Sequence, residues 1–151
     1  MSWKNKPSSF IQTVEADLTK RQKDIVIDAL GGVVMSSPVD EGSFRGSHRV
    51  SINQTDQSYN EAEKDKGGSS TISKGTSALS RLVPYSTVYI QTNSPYGPAI
   101  EFGQYPSPVK KGSYDKQAKR YVIKSVNGFS QQAPQGVYGL TFNYIAQKYG
   151  G

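Results

Sequence analysis

Residues 7–42 read PSSFIQTVEADLTKRQKDIVIDALGGVVMSSPVDEG, and the spacing of apolar residues within this stretch sets the architecture. Phe10, Ile11, Val14, Leu18, Ile25, Leu30, Val33 and Val34 recur at three- and four-residue steps behind the start signal Pro7-Ser8-Ser9. That period predicts a long amphipathic helix. Gln12, Glu15, Lys20, Lys23 and Asp24 form its polar face. Gly31 and Gly32 each cost ~1 kcal/mol against alanine inside a helix, so they mark a weak point, a kink or a close helix contact. Pro38 cannot continue the helix. In the turn that follows, Asp40 can accept backbone N–H groups as an Asx turn and Gly42 can take a positive φ, which reverses the chain.

Beyond the turn, Gly46 to Asn53 places Val50 and Ile52 on one side and Arg49, Ser51 and Asn53 on the other, the period of a half-buried strand. Thr87 to Thr92 alternates in the same way and should pair antiparallel with it. Tyr121-Val122-Ile123 is a third, weaker strand pattern. Residues 54–77 are polar apart from Ile72 and read as a flexible arm, followed by a short helical piece around Thr76 to Leu82. Residues 104–118 read as a second flexible arm. Val137, Leu140, Thr141, Tyr144, Ile145 and Tyr149 fall at helical spacing before Gly150-Gly151. The expected fold is a single α+β domain over 1–151, with a long N-terminal helix and a C-terminal helix packed on a small twisted antiparallel sheet with long polar loops.

The chain has 151 residues, 34% of them apolar, and a mean hydropathy of −0.60, which leaves only a small core. It has no cysteine, excluding disulfides and thiol chemistry. No apolar run approaches the ~20 residues of a membrane span, and Met1 to Pro7 lacks the apolar centre of a signal peptide, so a soluble, unexported chain is expected. His48 is the single histidine, and a lone histidine on a strand reads as a surface or rim residue. The carboxylates are scattered or mixed with lysines, as at Glu61 to Lys66, so neither a metal site nor a cofactor is expected. A carboxylate hydrolase built on Glu101 and Asp40 lacks an accompanying base or oxyanion loop.

Charge is unevenly placed. Residues 1–100 carry 11 basic and 10 acidic side chains, whereas residues 101–151 carry 7 and 2. Lys110, Lys111, Lys116, Lys119, Arg120 and Lys124 alternate with Tyr105, Tyr114 and Tyr121. Such a segment is either a solvated loop or a track for a phosphate backbone.

Ser37 to Ser47, with Pro38, Asp40, Gly42 and Arg45, resembles the Pro-Val-Asp-Thr-Gly, Leu-Arg, Ser signature of the tail-completion or neck proteins of long-tailed bacteriophages, with Glu41 where that family has threonine. Val88 to Gly103, with Asn93, Tyr96, Glu101, Phe102 and Gly103, is similar to the same family's strand, Asn, Pro-Tyr-Ala and Glu-Phe/Tyr-Gly run. Gln132 to Thr141 is a third echo. On the residues themselves, Asn93 suits left-handed geometry at a strand end, and Tyr96 and Phe102 supply large apolar area. Glu101 is either the exposed face of a short helix or the partner of a basic group such as Arg45 in this or a neighbouring subunit.

The resemblance implies a structural virion protein rather than a catalyst. It implies a homo-oligomeric ring, hexameric in that family, at the head–tail junction of the virion, assembled in the host cytoplasm. Its partners would be tail-terminator or tail-tube proteins and head-closure or connector proteins. DNA would pass through the ring, with Lys110, Lys111, Lys116, Lys119 and Arg120 in transient nonspecific contact with it. The alternative is a sequence-nonspecific nucleic-acid-binding protein using the basic, Tyr-rich C-terminal third.

Overall fold

The computed structural model describes residues 6–150, so Gly151 of the expected C-terminal stop lies outside the described residues. Within those residues lie four α-helices, α1 (Pro7–Ser36), α2 (Ser69–Ala78), α3 (Gly97–Phe102) and α4 (Tyr138–Tyr149), and six strands, the last four of them between α3 and α4. The strands are β1 (His48–Ile52), β2 (Val88–Thr92), β3 (Ser113–Asp115), β4 (Arg120–Val122), β5 (Ser125–Val126) and β6 (Phe129–Ser130). They form three antiparallel two-stranded pairs, β1–β2, β3–β4 and β5–β6. The architecture is α+β.

Helix α1 runs unbroken through Gly31-Gly32. Of the roles open to that pair, the structure selects a close helix contact. A Cβ on Gly32 would lie 2.7 Å from Cγ2 of Thr141 on α4, whereas one on Gly31 would meet nothing within 4 Å. From this crossing α4 runs back along α1, so that Lys148 Nζ and the Tyr149 hydroxyl both reach Asp28, and Arg21 donates to the Tyr149 carbonyl.

The core is one cluster of Leu30, Val33, Val34, Phe44, Ile100, Ala133 and Val137. Val50 and Ile90, cross-strand partners in β1–β2, pack against it from the sheet. That pairing is the expected one. Asn53, at φ +64, ends β1 and accepts the Thr87 N–H on its side chain. The third strand pattern falls elsewhere, since β4 pairs with β3 in a separate hairpin rather than extending β1–β2.

Four expectations require correction. The stretch 54–77 is not an arm throughout, because α2 begins at Ser69 rather than near Thr76. Gly75 lets α2 press onto α1 and β1: a Cβ there would strike the Leu30 side chain and lie 2.8 Å from Val50 Cγ2. Ile72 packs on the core, and residues ahead of the helix are held by Arg49–Glu63 at 2.8 Å and by Asn93 Nδ2 donating to the carbonyls of Asp56 and Ser58. The stretch 104–118 is likewise not a uniform arm, since Tyr105 packs on the core and Ser113–Asp115 is strand. Asn93 is not in the left-handed region; its side chain ties the loop instead, and Asn53 takes the positive φ. Asp40 is solvent-exposed, with Lys124 Nζ 3.8 Å away. The capping role belongs to Asp65, whose carboxylate accepts from the N–H groups of Gly68 and Thr71 and from the Thr71 hydroxyl at the start of α2.

Candidate functional site

The three stretches that carry the family resemblance are 37–47, 88–103 and 132–141, and the fold joins them. Val39 and Gln132 exchange a pair of hydrogen bonds, Val39 N–H to Oε1 at 2.8 Å and Nε2 to the Val39 carbonyl at 2.9 Å. The hydroxyls of Ser47 and Thr92 lie 2.6 Å apart. Glu101 closes the group by accepting the N–H groups of Val137 and Tyr138 on Oε2 and of Gly139 on Oε1, at 2.8–2.9 Å. Those are the donors that the start of α4 leaves without helical partners. Gly136, at φ +79, lets the carboxylate come close, because a Cβ there would lie 3.1 Å from Oε2. Burial pushes the Glu101 carboxyl up, but the three N–H bonds outweigh it and hold the group below its ordinary range.

Within the chain Glu101 takes neither expected role. It is not a free surface carboxylate, and it does not pair with Arg45. Arg45 instead bonds the carbonyls of Met35 and Ser37 at the end of α1 and of Lys66 in the loop before α2. Pro38 follows the end of α1, and Gly42, at φ +94 as the turn requires, offers its carbonyl to Gly46 and Asp65.

His48 departs furthest from expectation, being 3% exposed rather than on a rim. Its Nε2 lies 2.6 Å from Ser37 Oγ and its Nδ1 2.8 Å from the Tyr138 hydroxyl, while the Phe44 ring packs edge to face against it at a centroid distance of 5.3 Å. Ser37 Oγ is also 2.6 Å from the Val33 carbonyl, a contact that requires the hydroxyl proton to lie between them. We assign the protons accordingly: Tyr138 donates to Nδ1, Nε2–H donates to Ser37, and Ser37 donates to Val33. Burial, with Arg49 and Arg45 nearby, pulls the imidazole down to about 4, so it is neutral in the fold. Burial and the Glu101 charge push the Tyr138 phenol up. A serine whose proton is committed to a backbone carbonyl, facing an imidazole nitrogen that is itself a donor, is not an activated nucleophile. The trio joins α1, β1 and α4.

The surface is different in character. On the N-terminal half of α1, Phe10, Ile11, Val14 and Leu18 are exposed, Phe10 to 69%. Phe102, at the end of α3, is exposed to 70%, and Tyr96 ahead of α3 is also exposed; Gly103 ends that helix at φ +67. Lys110, Lys111, Lys116, Lys119 and Arg120 all lie on or beside the β3–β4 hairpin and take part in none of the hydrogen bonds of the junction. The charge density of this hairpin and the pattern of β4 were legible in the sequence, but β3 was not.

Among the described residues no group of three histidine, aspartate or glutamate side chains gathers to hold a metal ion, and no helix is long and apolar enough to cross a membrane. No family model matches the chain, and neither a curated protein nor a solved structure does.

Proposed function

We propose that this chain is a structural virion protein of a phage head–tail junction, a tail-completion or neck component that self-associates into a ring. The observation that carries the self-association is the apolar stripe Phe10, Ile11, Val14 and Leu18, contiguous along one helix and exposed, with none of the described elements packed over it. Contiguous apolar surface of this kind is characteristic of association sites. The order of the three motif stretches supports the assignment to the neck, and their convergence into one hydrogen-bonded junction gives each a role in holding the fold.

In this reading the residues of the junction are structural and the chain is a part, not a catalyst. Its partners are other copies of itself, hexameric by the resemblance, with tail-terminator or tail-tube proteins on one side and head-closure or connector proteins on the other. DNA passes through the ring. Native mass spectrometry and negative-stain electron microscopy of the chain, alone and mixed with tail components from the same genome neighbourhood, test it. A ring-sized species is expected; a chain that stays monomeric with every tail component overturns the reading.

A further inference from the structure

We propose that the β3–β4 hairpin is a nucleic-acid-binding arm that grips the sugar–phosphate backbone without reading sequence. The inference stands on the hairpin alone and holds for a monomer as for a ring.

Lys110, Lys111, Lys116, Lys119 and Arg120 lie within 11 consecutive residues, and none of them takes part in an ion pair among the described residues. The acid of this segment, Asp115, lies across the strands from Arg120 without forming an ion pair with it. Its Oδ1 accepts the N–H groups of Gln117 and Ala118 and so shapes the tip of the hairpin. Every residue from Ser113 to Tyr121 other than Asp115 is exposed, which places the cations on a projecting ribbon.

A segment that served only to keep the surface solvated would need charge and nothing else. This one also carries two exposed aromatic rings. Tyr114 and Tyr121 are cross-strand partners, so period two puts them on one face, and their rings meet edge to face at 5.4 Å. The Lys111 ammonium sits 4.6 Å from the centre of the Tyr121 ring. Cations flanking an exposed aromatic pair match what a nucleic-acid strand presents, phosphates at its edge and flat apolar surface beside them. A two-stranded ribbon also has the width that the major groove of a duplex admits. The shared chemistry is the phosphodiester backbone, and duplex and single strand are its two sources.

Fluorescence anisotropy on the full chain separates them, using a labelled DNA duplex and a labelled oligo(dT) of equal length over a range of KCl concentrations. Five phosphate contacts predict a slope of log K against log salt of about −4.5 on the duplex and about −3.5 on the single strand. Replacing Lys110, Lys111, Lys116, Lys119 and Arg120 by glutamine should weaken binding ~100-fold at low salt and flatten the slope. Replacing Lys6, Lys20, Lys23, Lys74 and Arg81 by glutamine removes the same charge elsewhere and should cost under about threefold. Tyr114→Ser with Tyr121→Ser should cost ~10-fold on oligo(dT) and little on the duplex if the single strand is the source; equal small losses on both identify the duplex.

Because the wild-type salt slope needs no variant, a slope near zero overturns the proposal whatever the variants do. So do equal losses in the two five-site variants, or retention of phosphatidylserine vesicles with neither DNA bound. Ring assembly is scored separately by mass, so loss of DNA binding in a protein that still assembles sinks this proposal and leaves the ring reading standing.

Discussion

The two halves of α1 carry the same apolar period and meet opposite fates. In the C-terminal half, Leu30, Val33 and Val34 are buried beneath α2, α4 and the β1–β2 pair. In the N-terminal half, Phe10, Ile11, Val14 and Leu18 continue the pattern but are exposed, with none of the described elements over them. Helix α4 runs back along α1 as far as Arg21, which donates to the carbonyl of Tyr149, the last residue of α4. A helical period thus reports that a face is apolar, and not what covers it. In the proposed ring, another subunit covers the first half of α1.

The contrast breaks most severely at Leu30. Leu30→Ala leaves a hole where α1 meets α2 and should cost about 3 kcal/mol by urea denaturation of the monomer; a loss as small as that of an exposed site would mean that the buried half is not the core. Next in size is the acid response of the junction. His48 is held near 4 in the fold against 6.5 when free, so the unfolded chain takes up the proton first as pH falls. Stability is then complete above about pH 6.5 and drops on the order of 3 kcal/mol towards pH 4, and His48→Gln should flatten the pH profile in that window. Glu101, held below its ordinary 4.5, adds a further loss at lower pH, where protonation removes the acceptor of three N–H groups.

Glu101→Ala should cost about 2 kcal/mol at neutral pH, with faster amide exchange confined at first to Val137, Tyr138 and Gly139. Exchange unchanged at those three amides would detach Glu101 from α4. The smallest effect sharpens the contrast from the other side. Phe10→Ser with Leu18→Ser should change monomer stability by less than ~0.5 kcal/mol, since both residues are exposed.

Much of this arrangement was legible because it is local or periodic. The helical step from Phe10 to Val34, the alternation of Arg49 to Asn53 and of Thr87 to Thr92, and the final helix from Tyr138 each announce themselves within a short window. Helix α2 did not, because Ile72 stands alone among polar residues and the residue that seats the helix is Gly75, which has no side chain to score. Leu79 and Leu82, seven and ten residues beyond Ile72, were the available signal. The junction was illegible for a different reason: Glu101 meets amides 36–38 residues further on, and His48 meets a serine just past the end of α1 and a tyrosine at the start of α4. Short polar motifs such as Asp40 and Asp65 offer the same capping chemistry, and only the tertiary path decides which of them reaches an amide.

If the bare half of α1 is an assembly surface, removing its apolar character must abolish assembly without unfolding the subunit. Sedimentation velocity of the wild-type chain and of the Phe10→Ser, Leu18→Ser variant, each with its tail components, puts that to the test. A ring-sized boundary is expected for the wild type and a monomer of unchanged stability for the variant. A variant that assembles as readily as the wild type would contradict the assignment of this face to assembly.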